Sequence, residues 1–584
     1  MKVLALGQNH DSNACLCDTE TGWFRYIKSE RISGNKHTIS IDEIAKVIVE
    51  EKFLFEHIIL CWGDFYGYNL YDKNVSAFYD KRKEFDNLVL EYFETGFSDC
   101  QEDLQPEYIQ RLRKRNQDTR RYIERTLNSL IKQVSAGLSN FNYNKITAEW
   151  VHHHYAHSLS GWILDKENFK DIQYSVSIDG RAFDGITVQI LKNTFNLKEV
   201  EILFANRNVI LDENNKITDI KNSSFGGCWQ YIGSKFGFTG MKLDFAGKLM
   251  GLNAYGEVNK DVVSKFKDYE WNMNNLSPLF RDISEDTFFQ NYTKRPVPPK
   301  IINTVATFNQ IWSDTIMYLF KKYIPKNAKV IFSGGCAQNT LLNYHLKKEF
   351  PNLIVVPHCY DGGLSLGSLA YFLIKNNLPF PAVNNYPYIQ TDIKPETTPS
   401  LDTIKEVAKL LSEDKIVGWY QGHGECGPRA LGNRSILMNA GIKFGKRKIN
   451  RRIKHREYWR PFAPSVIKEE ASKWFDIDDS KYMMYAAKVL EDKKELIPSV
   501  THKDGTSRVQ TVSRDDNEPF YDLLTEFNKL TNIPLLLNTS LNDNGHPIVG
   551  SPKAALEFFR KSKLHAICIG DKIYKKKCPG SSAG

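Results

Sequence analysis

Val330-Ile331-Phe332-Ser333-Gly334-Gly335-Cys336-Ala337-Gln338-Asn339 carries a short apolar run straight into two glycines. A run this short, closed by Gly and followed by a helical stretch, reads as a buried strand, a glycine loop and a helix start. The same punctuation recurs along the chain. Val3-Leu4-Ala5-Leu6 meets Gly7, Ile58-Ile59-Leu60-Cys61-Trp62 meets Gly63-Asp64, and Tyr174-Ser175-Val176-Ser177-Ile178 meets Asp179-Gly180. Leu353-Ile354-Val355-Val356 leads through Pro357 to Asp361-Gly362-Gly363. Buried strands that deliver Asp and Gly at their ends are how an α/β sheet builds a ligand site. The expected fold class is therefore α/β, with the chemistry at strand ends.

At 584 residues the chain is too long for one core, and two or three domains are expected. Its 41% hydrophobic and 25% charged residues exclude a disordered chain. The net charge of +9 is modest for this length and suits an anionic small substrate or a nucleotide. The ten cysteines form no Cys-x-x-Cys pair, which excludes a zinc ribbon or a thioredoxin-like dithiol. The apolar start Val3–Leu6 is too short for an export signal, and no apolar run reaches membrane-spanning length. The cytoplasm is the expected compartment, with no membrane partner.

Prolines gather at Pro379, Pro381, Pro387, Pro395 and Pro399, and helical periodicity resumes at Ile404, Val407, Ala408 and Leu411. This predicts one domain over 1–385, a second over 400–575 and a disordered tail over 576–584. Between Asp99 and Val134 the chain is strongly polar, with Ile109, Leu112, Ile123, Leu127, Leu130 and Val134 near helical spacing. Its basic cluster Arg111–Arg115 reads as the solvated face of an amphipathic helix and is assigned no chemistry.

Five places carry candidate chemistry. His153 and His157 lie four apart, which on a helix puts both imidazoles on one face. Asp179 and Asp361 at strand ends would complete an N/O shell for a divalent metal, the alternative being a surface histidine cluster. Gly334, Gly335 and Asn339, with Gly362 in the second loop, suggest a nucleotide clamped between two strand ends. In Asp244–Gly256, where Leu249, Met250 and Leu252 read as a packed helix face, Lys248 is the one candidate for function. His10 beside Asp11 is either a general base towards a hydroxyl or a hydrogen-bonded structural histidine.

The fifth place is cationic. Gly424-Glu425-Cys426-Gly427-Pro428-Arg429-Ala430-Leu431-Gly432-Asn433-Arg434-Ser435 is followed by a second basic run from Asn450 to Pro464, containing Lys454, Arg456 and Arg460. Charges interleaved with Trp459, Phe462 and three prolines describe a rigid anion pocket rather than a solvated face. Arg508 and the Leu537–Asn542 row, including Ser540, would complete it.

Together these segments resemble the O-carbamoyltransferases of the nodulation and antibiotic-tailoring family, almost end to end. The most specific matches are Gly427–Ser435, Asn450–Pro464, Arg508-Val509-Gln510-Thr511 and Leu537-Asn538-Thr539-Ser540, supported by the His153/His157 pair and Gly247–Leu252. The resemblance implies an actin-like (ribonuclease-H-like) N-terminal part, as in tRNA threonylcarbamoyl transferases, and a carbamoyladenylate-forming α/β C-terminal part. It implies that carbamoyl phosphate and ATP become carbamoyladenylate in the second, and that a metal-supported site in the first moves the carbamoyl group to a hydroxyl. Carried over by residue, Arg429, Lys454, Arg460, Arg508 and Ser540 would hold carbamoyl phosphate and the ATP phosphates. His153, His157, Asp179 and Asp361 would hold iron, with Mg2+ accompanying ATP. Gly334, Gly335, Gly362, Asn339 and Lys248 would contact the nucleotide; His10, His157 and Arg429 would be catalytic.

The expected acceptor is a secondary-metabolite or sugar alcohol, its contacts drawn in part from Phe65–Val134. Nucleic acid is not expected, and the oligomeric state is not legible. Three positions depart from the family pattern: Ala246 where Glu is usual, His423 where Arg is common, and His546 in place of Glu. The competing readings are a fused tRNA threonylcarbamoyl transferase and an inactive nucleotide-binding scaffold. Hydrogenase-maturation carbamoyltransferases are set aside because they need cysteine pairs that this chain lacks.

Overall fold

The computed structural model describes residues 1–8, 11–62, 73–74, 125–165, 169–180, 186–207, 209–211, 217–220, 224–236, 238, 242–266, 279 and 297–576. Most of Phe65–Val134, the basic cluster 111–115 within it, and residues 577–584 of the expected tail lie outside the described residues. Leu127, Leu130 and Val134 are described, and all three are buried.

The first sheet contains β1 (Lys2–Gln8), β2 (Asn13–Asp18), β3 (Trp23–Lys28), β4 (His57–Trp62), β5 (Lys73–Asn74) and β6 (Thr147–Trp150), in the order β3-β2-β1-β4-β6-β5. β2 runs antiparallel to both of its neighbours, β1 and β3, whereas β1, β4 and β6 are parallel. The second sheet contains β7 (Tyr174–Ile178), β8 (Ile186–Lys192) and β9 (Glu201–Arg207). A separate hairpin, β10 (Val209–Leu211) with β11 (Ile217–Ile220), comes next in the chain. β12 (Val330–Ser333) and β13 (Leu353–Val355) then complete the second sheet, in the order β13-β12-β7-β8-β9. Here β8 is antiparallel to both β7 and β9, and β7, β12 and β13 are parallel. Apart from the edge strand β5, the same strand order and senses thus occur twice, which is the doubled ribonuclease-H-like arrangement of actin-like folds.

Alternation along the strands divides the core. Leu4 and Leu6 of β1 enter one apolar cluster while Val3 and Ala5 enter another, shared with Ile331 of β12. Val330 and Phe332, on the other face of β12, enter a third. Each Val, Leu, Ile or Phe among them contributes roughly 1.5–3 kcal/mol by burial, so a one-residue slip of register is strongly disfavoured. In the shared cluster the helix Leu364–Lys375 meets the helix His153–Leu159. A Cβ on Gly367 would come within 1.7 Å of the Ala156 carbonyl oxygen, so glycine permits this crossing. It brings the histidine helix beside the turn that carries Asp361.

A third sheet is formed by β14 (Val417–Tyr420), β15 (Arg434–Asn439), β16 (Ala463–Ile467), β17 (Tyr485–Lys488), β18 (Thr506–Val512), β19 (Leu535–Ser540), β20 (Ala566–Ile569) and β21 (Lys572–Lys575). Its order is β17-β18-β16-β19-β15-β14-β20-β21, with β16–β18 and β14–β20 parallel. Arg434 starts β15, Arg508 lies in β18 and Ser540 ends β19. The fold is α/β throughout.

Candidate active site

Two histidines and two carboxylates meet behind the second sheet. His157 is fully buried, and its Nε2 lies 2.9 Å from Asp179 Oδ2, 3.4 Å from Asp361 Oδ1 and 3.2 Å from His153 Nε2. His153 Nε2 is 3.5 Å from Asp179 and 3.7 Å from Asp361. Asp179 follows β7, and Asp361 opens the tight turn Asp361–Gly363 after β13. The Gly180 and Gly335 N–H groups donate to the Asp179 carboxylate, and Asn13 Nδ2 donates to the Asp361 carbonyl at 2.8 Å. Burial would lower the His157 imidazole, but the hydrogen bonds and charges of Asp179 and Asp361 outweigh it and push it up to about 9. Burial would raise Asp179, yet its bonds to His153 and His157 hold it well below the usual carboxylate range. One donor atom from each of the four lies within 4.8 Å of the others, an N/O set of the size and softness that suits a divalent transition metal.

The glycine loop supports this cluster. Gly334 has φ +84 and lies against the Ile178 carbonyl, where a Cβ would come within 2.2 Å of the oxygen. Asn339 caps the helix Thr340–Glu349 through Leu342 N–H, and its Nδ2 donates to Asn309 at 3.2 Å. The Gly362 carbonyl accepts from the Tyr26 hydroxyl at 2.6 Å.

The cationic segments are built differently. The buried Glu425 carboxylate accepts the N–H groups of Leu431, Asn433 and Arg434 and closes the loop that presents Arg429. Gly427 has φ +104, and a Cβ there would lie 2.6 Å from the Pro357 carbonyl oxygen. Arg434 turns away from Arg429. It chelates Asp392 at 3.1 and 2.8 Å, donates to the Gln421 and Gly422 carbonyls and lies over the Tyr420 ring. Of the two guanidiniums in this stretch, only Arg429 lines the cavity described below.

Arg429 is joined by Arg456, Arg460 and Arg508. Arg456 donates to Asn450 Oδ1 at 2.7 Å and lies over the Phe462 ring. Burial first, and then neighbouring arginines, depress Arg456 and Arg508 well below the usual guanidinium range; Arg429 shifts the same way. Lys454 is buried, and its ammonium is surrounded by the carbonyl and side-chain oxygens of Ser540 and Asn542 at 2.6–3.1 Å. It therefore braces the loop after β19. His455, between Lys454 and Arg456, has φ +44, and both of its neighbours line the cavity.

Asp179 and Asp361 and these arginines line one cavity of 420 Å³. Across the seam between the two halves, Trp459 Nε1 donates to the Lys248 carbonyl at 3.0 Å, and Lys248 Nζ lies 3.3 Å from Glu457. Lys446 Nζ donates to the Tyr255 hydroxyl at 2.7 Å. The cavity wall beside Lys248 is formed by Ala246, Gly247 and Met250, and His546 lines it further on. His423 Nδ1 sits 3.8 Å from Asp392. His10 lies outside the described residues. Sequence reading passed over Lys28, His37, Asp244 and Lys446 as functional candidates, and placed Arg456 only inside a run. Asp11, Glu30 and His37 form a second acidic and imidazole group, but the Lys28 ammonium sits among them, 2.7 Å from Glu30 and 3.3 Å from Asp11.

Two family models match this chain. That of the carbamoyltransferase N-terminus covers residues 2–370, and that of the carbamoyltransferase C-terminus covers residues 408–576. The chain belongs to the carbamoyltransferase family. It is 31% identical over 362 residues to nodulation protein NolNO of Sinorhizobium fredii, covering 56% of this chain and 53% of that one. It is 30% identical over 355 residues to nodulation protein U of Azorhizobium caulinodans, covering 56% and 63%. An uncharacterized protein of Methanocaldococcus jannaschii is 29% identical over 466 residues, covering 74% and 84%. The chain thus spans about half to just under two thirds of the nodulation relatives' length. Among solved structures, the activator of 2-hydroxyisocaproyl-CoA dehydratase from Clostridium difficile with bound ADPNP is 12% identical at a TM-score of 0.30, covering 65% of this chain and 97% of that one.

Proposed function

We propose that this protein is an ATP-dependent O-carbamoyltransferase acting on a small-molecule alcohol, a sugar or secondary-metabolite hydroxyl. The observation that carries the reading is one cavity lined both by Asp179 and Asp361, the carboxylates of the two-histidine, two-aspartate cluster, and by the arginine cluster. In the proposed reaction, water cleaves carbamoyl phosphate to carbamate and phosphate. A carbamate oxygen then attacks the ATP α-phosphorus, pyrophosphate leaves, and carbamoyladenylate forms. The acceptor oxygen next attacks the carbamoyl carbon, its proton passes to a base, and AMP departs.

Arg429, Arg460 and Arg508, with Arg456 beside them, bind the phosphate oxygens, because half-buried guanidiniums with like-charged neighbours gain most from an anion that ends their mutual repulsion. Lys454 and Ser540 shape the adjoining wall. We assign the nucleotide side of the first half to Gly335 and Asn339, which line the cavity; Gly334 and Gly362 shape the loops behind them, Lys248 pairs with Glu457 at the seam, and His10 is the candidate base. His153, His157, Asp179 and Asp361 would hold an iron(II) ion, with Mg2+ accompanying ATP. Bound there, the ion supplies Lewis-acid polarisation of the carbonyl and neutralises phosphate charge. Passage inside one cavity shields the labile adenylate from bulk water. We place the division of labour at the proline-rich stretch, with transfer in 1–385 and activation in 400–575.

The decisive assay supplies carbamoyl phosphate, ATP, Fe2+ and Mg2+ and reads pyrophosphate release together with the masses of candidate alcohols. Pyrophosphate release and a gain of one carbamoyl group are expected. A protein that forms no pyrophosphate from both substrates would sink the proposal.

A further inference from the structure

Non-glycine residues with left-handed backbone are uncommon, and they persist where surrounding contacts hold them. Two such residues, His37 (φ +54) and Met483 (φ +56), line the cavity, and a third, His455, stands between two residues that do. His37 is the one that also bridges two carboxylates. Its Nδ1 lies 3.2 Å from each oxygen of Asp11, and its Nε2 lies 3.6 Å from Asp244 Oδ1. Its backbone N–H donates to Glu30 at 3.3 Å. The Lys36 ammonium donates to the same Asp244, and Lys28 pairs with Asp11 and Glu30.

The two bridged carboxylates come from distant parts of the chain. Asp11 stands in the turn between β1 and β2, whereas Asp244 is the residue before the helix Phe245–Asn253. Both line the cavity. No other element of the described structure joins these two walls through a single side chain bearing a charge contact to each. We propose that His37 is a positioning residue for the transfer step, tying Asp11 to Asp244 and so setting the gap in which the acceptor hydroxyl is held. The inference rests on the carbamoyl-transfer reading above and extends it to the acceptor side of the cavity.

Among the described residues, the groups facing the ring are Asp11, Glu30 and Asp244, opposed by Lys28 and Lys36. Burial would lower the imidazole, but Asp11 and Asp244 outweigh it and raise it. The bridge is therefore complete while the ring is protonated and weakens as pH rises through that raised value. A displacement of about 1 Å between reacting groups costs up to about a hundredfold in rate.

The test measures both half-reactions of the full-length protein, with the best alcohol from the mass screen as acceptor. His37→Ala is expected to lower kcat for transfer by about tenfold to a hundredfold. Pyrophosphate formation should stay within about twofold of wild type. His37→Asn, which tolerates left-handed backbone, guards against a mere loop collapse and should show the same loss. His37→Lys keeps a cation and should recover transfer while abolishing the decline at alkaline pH. Undiminished transfer in His37→Ala and His37→Asn, equal loss of pyrophosphate formation, or a lysine variant no better than alanine would each overturn the role of His37. A wild-type protein forming no pyrophosphate overturns the underlying reading as well, and so the two failures are distinguishable.

Discussion

The two clusters that share the cavity solve opposite electrostatic problems. Around His157 each charge has an opposite neighbour, with two carboxylates against two imidazoles at 2.9–3.7 Å. Around Arg508 the named neighbours are Arg429, Arg456 and Arg460, all of the same sign. A balanced cluster is stable as it stands and is tuned by what it coordinates. A like-charged one is costly until an anion arrives, so its binding energy is stored as repulsion in the empty protein. The second region is thus built to bind, the first to hold a geometry.

The largest expected effect comes from breaking the like-charged side. Arg508→Ala should reduce pyrophosphate formation by about a thousandfold, the scale of one preorganised charge contact in a phosphoryl-type site. It should leave the melting temperature unchanged or raised, because one member of a repulsive set is gone. Thermal melts with and without inorganic phosphate check this: phosphate should stabilise the wild type more than the variant. If Arg508→Ala melts far lower than wild type without phosphate, the description of the cluster as strained is wrong.

On the balanced side, His157→Ala should spare pyrophosphate formation and lower carbamoyl transfer by at least about a hundredfold. Metal analysis of the purified variant should show the loss of bound iron. If both variants fail at the same step, the contrast between the clusters has no functional meaning.

The smallest effect concerns Lys446, where burial, followed by Arg456, lowers the ammonium to about 8. Below that pH both folded and unfolded chains carry the proton, and the cost of burying the charge is felt in full. Between about 8 and the ordinary lysine value only the unfolded chain retains it, so this group makes stability rise with pH across that window. Phosphate binding should weaken over the same window as the ammonium is lost. Lys446→Met should flatten both slopes, which chemical denaturation and phosphate titration at a series of pH values would reveal.

Much of this was legible in the chain. The apolar runs Tyr174–Ile178 and Val330–Phe332 appear as β7 and β12, and His153 and His157 share a helix face as their spacing predicts. Both signals are local, since periodicity is set by backbone geometry alone. Arg434 shows where local reading stops. Five residues from Arg429 and chemically identical to it, Arg434 faces Asp392 because β15 points it inward. Lys454 shows the same limit, since its four oxygen partners lie 86 and 88 residues away.

The strand-and-glycine pattern, the metal-type histidine spacing and the supply of arginines are written in the chain, because each depends on neighbours within a few residues. Which arginines face one another, that Asp179 and Asp361 close on the same histidines, and that these carboxylates and the arginines line one cavity follow from the folded arrangement alone. The helix crossing at Gly367 and the hydrogen-bonded loop under Glu425 are contacts between distant segments. Their direction is set by packing across the whole fold, which no local pattern encodes.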